Sequence, residues 1–168
     1  MSNKNHTIKI KDYSKVFEEY VAVAAITPGH LLEYTSAGKV QKHSAAGQNN
    51  LPMIAVEDEL QGNGINDAYS ANDPVQVWIP RRGDQAWMIL ADGENAAIGS
   101  LLESAGDGTV RVHDPDVVAH GDSSAAVSST VYTNVIVGEA LEAVNTSASS
   151  GAESSAAQGT QRIKVRIY

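Results

Sequence analysis

The chain of 168 residues has no cysteine and little aromatic bulk, with one Phe, two Trp and six Tyr. The missing cysteines exclude disulfides, thiolate metal sites and cysteine nucleophiles. No run approaches the roughly 18 apolar residues that a membrane helix needs, and the N-terminal stretch lacks the apolar core of a signal peptide. We therefore expect a soluble intracellular product with no membrane partner.

Basic residues are also scarce, since 12 Lys and Arg stand against 20 Asp and Glu, for a formal net charge of −8. Nonspecific nucleic-acid binding requires clustered Lys and Arg that displace counterions from phosphates. The acids are scattered along the chain, which is typical of a soluble surface. We expect no nucleic-acid partner.

A repeated stretch organises the rest of the sequence: residues 26–43 return in shortened form as residues 98–113. Each copy is an apolar run, a glycine-centred turn and an alternating run, which is the pattern of a β-hairpin. A shift of 70 residues, without a gap, aligns seven identical positions. They are Gly29, Leu31, Leu32, Glu33, Gly38, Val40 and His43, which align with Gly99, Leu101, Leu102, Glu103, Gly108, Val110 and His113.

The order of elements after each hairpin is also shared. A short apolar run with an acid follows, then a polar loop, then an alternating strand, at 53–57 and 75–80 in one half and at 138–142 and 162–168 in the other. We predict an all-β, mostly antiparallel body, barrel- or sandwich-like, of two related hairpin units spanning about 26–82 and 98–168. The alternative is that the hairpins share only their turn chemistry. A core of small aliphatic residues is thin, so neighbouring subunits are expected to complete it.

Residues 1–25 precede the first hairpin and are predicted to form an extended N-terminal arm. Two isoleucines alternate with lysines there, as in an edge strand with one packed face, and bulky apolar residues follow. The alternative is an ordinary first strand with a disordered tip. The candidate binding residues of the arm are Ile8, Ile10, Tyr13, Val16, Phe17 and Tyr20.

No stretch carries a convincing catalytic or metal-binding pattern. Residue types suited to metal binding crowd together only in 113–124, where Pro115 and Gly121 break the segment and no pair has the i, i+4 spacing of helical ligands. Ser123 does not lie in a G-x-S-x-G motif, because Ala125 occupies the last position. We predict no enzyme activity, no cofactor and no metal. The crowded residues are His113, Asp114, Asp116, His120 and Asp122.

Two further segments are predicted to be loops. Arg81 and Arg82 lie in a turn before Gly83-Asp84, as either a solvated loop or a docking contact for carboxylates on a partner. Residues 145–161 are small and polar, cannot bury enough area to offset their ordering entropy, and are predicted to form a flexible surface loop.

The chain resembles the head decoration (cement) proteins of tailed bacteriophages over about residues 26–168. The resemblance rests on Ile26-Thr27-Pro28-Gly29, the two hairpins, Pro52 to Glu57, Val75 to Pro80, Gly83-Asp84, and Gly138 to Ala143 before the terminal Arg-Ile-Lys-Val-Arg-Ile strand. These motifs are structural rather than catalytic.

This resemblance implies a structural virion protein, made in the host cytoplasm, that binds the outer surface of the expanded capsid and stabilises the head lattice. It implies the major capsid protein as partner, contacted by the arm, and a homo-oligomer, with a trimer favoured. The doubled unit departs from the family, so a dimer is the alternative. Two other functions stay open: another virion or surface β module (tail, spike or glycan-binding), and a hydrolase or metal enzyme built on residues 113–124.

Overall fold

The computed structural model describes residues 6–114, 134–148 and 162–168, and nearly all of their regular secondary structure is antiparallel β-structure. This confirms the predicted all-β, sandwich-like class. The strands are β1 (Lys9–Lys11), β2 (Phe17–Val21), β3 (Leu32–Tyr34), β4 (Val40–Lys42), β5 (Ile54–Ala55), β6 (Pro74–Trp78), β7 (Gln85–Ile89), β8 (Asn95–Ala96), β9 (Leu101–Ser104), β10 (Val110–Val112), β11 (Ile136–Ala140), β12 (Val144–Asn145) and β13 (Arg162–Ile167).

The strands are arranged in one large sheet and three small ones. The large sheet has the order β1-β7-β13-β11-β9-β10, and a three-stranded sheet has the order β2-β6-β5. Strands β3 and β4 form one separate pair, and β8 and β12 form another. Every pairing between these named strands is antiparallel.

The two predicted hairpins pair in the same register. In β3–β4, Leu32 lies opposite Lys42, and 70 residues later in β9–β10 Leu102 lies opposite Val112. Glycines with positive φ stand in both turns, at 72° in Gly38 and 86° in Gly108. Alternation and turn chemistry are local signals, which is why the sequence predicts these hairpins well.

The correspondence extends beyond the hairpins. Strands β5 and β6 pair through Ala55 and Val77 as β11 and β13 pair through Ala140 and Val165. Strands β2 and β6 likewise pair over five consecutive residues, as β7 and β13 do. The repeated pairing pattern therefore covers 17–78 and 85–167, so it begins earlier than the predicted boundaries near residues 26 and 98.

The halves share a hydrophobic core. The larger of two buried clusters combines Leu31, Ile54 and Trp78 of the first half with Met88 and Ile163 of the second. The smaller cluster lies around β2, β3 and β6 of the first half. Because each buried large aliphatic side chain contributes about 1.5–3 kcal/mol, neither half would keep its stability alone.

Ordered elements occur in the segment between β5 and β6 and in the described part of the predicted loop 145–161. Within residues 58–73, a 3-10 turn spans Glu59–Gln61, capped by the Asp58 carboxylate. The predicted loop 145–161 begins inside β12. Thr146, the next residue, is buried, and its hydroxyl donates to the Ala91 carbonyl at 2.7 Å. No helix in the described ranges is long and apolar enough to span a membrane.

Candidate interaction surface

Two segments of the predicted arm, Lys9–Lys11 and Phe17–Val21, lie in the sheets of the body. Strand β1 pairs with β7, and β2 pairs with β6. The Ile8 N–H donates to the Glu57 carboxylate at 3.1 Å, and the Ile8 carbonyl accepts the Trp87 N–H at 2.8 Å. The Ile8 side chain is fully buried, so in this structure it contributes to the core and is not exposed to a partner.

The other predicted arm residues differ in exposure. Tyr13 is 74% exposed, while Val16 and Phe17 are 41% and 38% exposed. Ile10 and Tyr20 are half-buried. Binding of a partner by this segment stays a prediction, and it now rests on Tyr13, Val16 and Phe17.

A buried carboxylate joins the start of the chain to the predicted docking turn. Asp84 is fully buried, and its carboxylate accepts the backbone N–H groups of Tyr13 at 2.6 Å, Ser14 at 3.3 Å and Arg81 at 2.7 Å. Charge-assisted bonds of this kind are stronger than neutral ones. Asp84 therefore brings together two segments that the sequence suggested separately as binding elements.

Arg81 and Arg82 are exposed at this turn. Gly83 has φ of 97°, and its N–H donates to the Ile167 carbonyl at 2.8 Å. The Arg82 guanidinium lies 5.4 Å from the centre of the Tyr168 ring, a cation–π distance. We call the exposed side chains held around Asp84 the Asp84 surface: Tyr13, Arg81, Arg82 and Tyr168.

The Asp84 surface combines exposed Tyr and Arg, two residue types that are enriched among the residues that dominate binding energy at protein interfaces. The Tyr168 hydroxyl donates to Glu139 at 2.5 Å, and this hydrogen bond raises the pKa of Tyr168. Sequence reasoning identified three of the four residues and missed Tyr168 and the role of Asp84. Only the turn chemistry of Gly83-Asp84 hinted at that role, since the bonded partners are about 70 residues away in the chain.

The candidate metal cluster is only partly described. His113 donates from Nδ1 to Glu103 at 2.5 Å, and Arg111 Nε donates to the same carboxylate at 2.7 Å, so the hairpin β9–β10 orients this imidazole. Asp116, His120 and Asp122 lie outside the described residues. Among all the residues that the structure describes, no group of three or more His, Asp or Glu is arranged to hold a metal.

The fold of the described chain is similar to that of a solved phage protein. No protein-family profile matches the chain, and no curated protein matches it. The crystal structure of the head fiber gp8.5 N base in bacteriophage phi29 is similar to this structure, with a TM-score of 0.53 and 15% sequence identity. The similarity covers 91% of this chain and 93% of that chain. At this level of identity, the likeness shows a shared fold.

Proposed function

We propose that this chain is a structural protein of a bacteriophage virion that binds the outer surface of the expanded head and stabilises its lattice. The observation that carries the proposal is the fold shared with a phage head protein over nine-tenths of both chains. The decoration-protein motifs in the sequence point to the same class. The proposal includes no catalytic step, cofactor or metal.

The Asp84 surface is the site we assign to capsid docking. The Asp84 carboxylate fixes the backbone at Tyr13 and Arg81, so this backbone loses little freedom on binding, which favours affinity. Two adjacent arginines on a chain of net charge −8 form a local basic site, suited to carboxylates of a major capsid protein. Many weak contacts on one lattice add through multivalency.

A second candidate within the same class is the base of a head fibre. The named structure favours it, because the similar protein is itself the N base of a head fiber. The two functions differ in their effect on the head: loss of a lattice-stabilising protein lowers the temperature at which heads open, whereas loss of a fibre base leaves that temperature unchanged.

The test mixes purified protein with undecorated expanded heads and measures occupancy and the head-opening temperature. Deletion of residues 1–20 is unsuitable, because it would remove β1 and β2 from the body. Point variants are sharper: Tyr13→Ala and Arg82→Ala should each lower affinity about tenfold, as expected for hot-spot residues. Leu51→Ala is the control, since Leu51 is 76% exposed and lies outside the Asp84 surface. Wild-type occupancy by the Tyr13→Ala, Arg82→Ala double variant would contradict the assigned docking site.

A further inference from the structure

Equivalent strands in the two halves have different neighbours. Strand β7 is covered on its outer edge by β1, where Trp87 N–H donates to the Ile8 carbonyl. Its counterpart β2 is bonded to β6 on one side and ends its sheet on the other. Strand β4 reaches the C-terminal end of that edge, where Ala22 and Val40 form a parallel bridge and the Val23 N–H donates to the Val40 carbonyl at 2.9 Å. In the described part of the chain, no strand lies beside the edge from Phe17 to Glu19.

The hydrogen-bond register shows which groups point outward. Ala22 N–H donates to the Asp73 carbonyl, and Ile79 N–H donates to the Val16 carbonyl. In an antiparallel ladder, every second residue bonds to the neighbouring strand. The backbone N–H and C=O groups of Glu18 and Tyr20 therefore point toward β6. Phe17, Glu19 and Val21 therefore direct their N–H and C=O groups away from β6, as Trp87 does toward β1.

Natural edge strands are kept from pairing by lysine, other charged side chains, proline or a bulge, and of these β2 carries only the charged residues Glu18 and Glu19. By contrast, β1 at the edge of the large sheet carries Lys9 and Lys11. Strand β2 also carries exposed apolar side chains at its two ends, with Phe17 at 38% and Val21 at 39%. An edge of this kind favours addition of another strand.

The charge around the edge indicates what the added strand carries. Glu18 and Glu19 lie in β2. On the side of Phe17 that faces β6, a groove of about 250 Å³ is lined by Gln76 of β6 and by Glu57, Asp58 and Glu59. Inside this groove, Lys9 already lies 4.4 Å from the centre of the Phe17 ring. Pairing of β2 with β2 of a second copy, centred on Glu19, would set like charges opposite each other, which is destabilising.

We propose that the outer edge of β2 accepts an antiparallel strand from a second protein, in which apolar residues alternate with Lys or Arg. The register of β1 on β7 shows the geometry, because Lys9 lies opposite Ala86, whose counterpart in β2 is Glu18. A lysine at that place would face a carboxylate. The outer edge of β2 and the Asp84 surface are separate proposed binding sites, so an experiment can contradict one proposal without affecting the other.

The probe is a capped peptide with the sequence of residues 6–14, the strand that β7 accepts, added to full-length protein. We expect hydrogen exchange to slow at the amides of Phe17, Glu19 and Val21, while the Trp87 amide keeps the protection it has in free protein. A control peptide with glutamate at both lysine positions should bind at least tenfold more weakly. Unchanged exchange at the three amides with millimolar probe peptide would overturn the proposal.

Two variants make the test specific. Glu19→Pro removes one outward N–H and no bond to β6, so it should weaken binding of the probe peptide at least tenfold. Glu19→Thr is the matched control: it keeps that N–H and removes only the carboxylate, so its binding should weaken only by the loss of one charge pair. The Glu18→Lys, Glu19→Lys double variant keeps the backbone and should reverse the preference toward the acidic peptide. If the double variant still prefers the basic peptide, the proposal is overturned. It is also overturned if the protein is an oligomer that Glu19→Pro converts to monomer, because a second copy of this chain would then occupy the edge.

Discussion

At the scale of single residues, buried charged groups hold distant segments together. Arg162 is 1% exposed and donates to the Pro28 carbonyl at 2.8 Å and the Ile65 carbonyl at 2.6 Å. Burial lowers the pKa of Arg162 to about 10, so it remains protonated at neutral pH. The sequence could not reveal these roles, because Asp84 and Arg162 look like ordinary turn and strand-end residues until partners far along the chain are known.

Replacing Asp84 with alanine should lower the free energy of unfolding by about 3 kcal/mol, because three backbone N–H groups lose their acceptor and leaving buried donors unsatisfied costs about 1–3 kcal/mol each. Urea unfolding measures the change. Asp107→Ala is the matched control, since the exposed Asp107 accepts only local bonds from Thr109. Equal effects of the two variants would show that the Asp84 bonds do not fix the N-terminal segment.

Tyr69 should make stability fall at high pH. Burial raises the pKa of Tyr69 to about 12 from its ordinary 10.0, so the folded state holds this proton more tightly than the unfolded state. The associated stability is present below pH 10 and is lost between about pH 10 and 12, amounting to roughly 2–3 kcal/mol. Tyr69→Phe should flatten the fall in denaturant midpoint across this range, and Tyr13→Phe should not. A steep fall that persists in Tyr69→Phe would assign it to other groups.

At the scale of elements, the two hairpins were predictable and the first two strands were not. Alternation and positive-φ glycines specify β3–β4 and β9–β10 locally. Strands β1 and β2 depend on pairing with β7 and β6, more than 50 residues away, and periodicity alone cannot choose between a free arm and a paired strand. The burial of Ile8 follows from that pairing, so the sequence showed an apolar residue and not its location.

The glycines that open the two hairpins offer a matched pair. Gly29 and Gly99 have φ of 96° and 85°, so alanine strains the backbone similarly at both, by about 1–3 kcal/mol. A Cβ at Gly29 would also clash with Arg162 Nη1 and lie 3.0 Å from the Trp87 carbonyl oxygen, whereas a Cβ at Gly99 meets no atom within 4 Å. Gly29→Ala should therefore destabilise the protein by at least 1 kcal/mol more than Gly99→Ala, as measured by chemical unfolding. Equal losses would contradict the close packing of Arg162 on Gly29.

At the scale of the whole molecule, the pairing pattern repeats while the edges and surfaces do not. The shared core requires both halves, and the unequal parts are β1, the open edge of β2 and the Asp84 surface. Exposed apolar residues remain in the described part, including Leu60 at 100% and Ile98 at 73%. The predicted association of several copies, which stays a prediction, would close such apolar surface between neighbouring subunits.

Light scattering on the purified protein tests that association. We expect a trimer, with three times the 17.7 kDa mass of one chain, and a dimer is the alternative because of the repeated unit. Dilution should dissociate the oligomer if the subunits are held only by the exposed side chains. A monomer at high concentration would restrict any association to the capsid surface.

The central claim, that this chain is a head-bound virion protein, is tested most directly by electron microscopy of the particle that contains it. We expect density for this fold on the outside of the expanded head, repeated with the lattice and oriented with Tyr13 and Arg82 toward the major capsid protein. Density on the tail, or a particle without this chain, would contradict it.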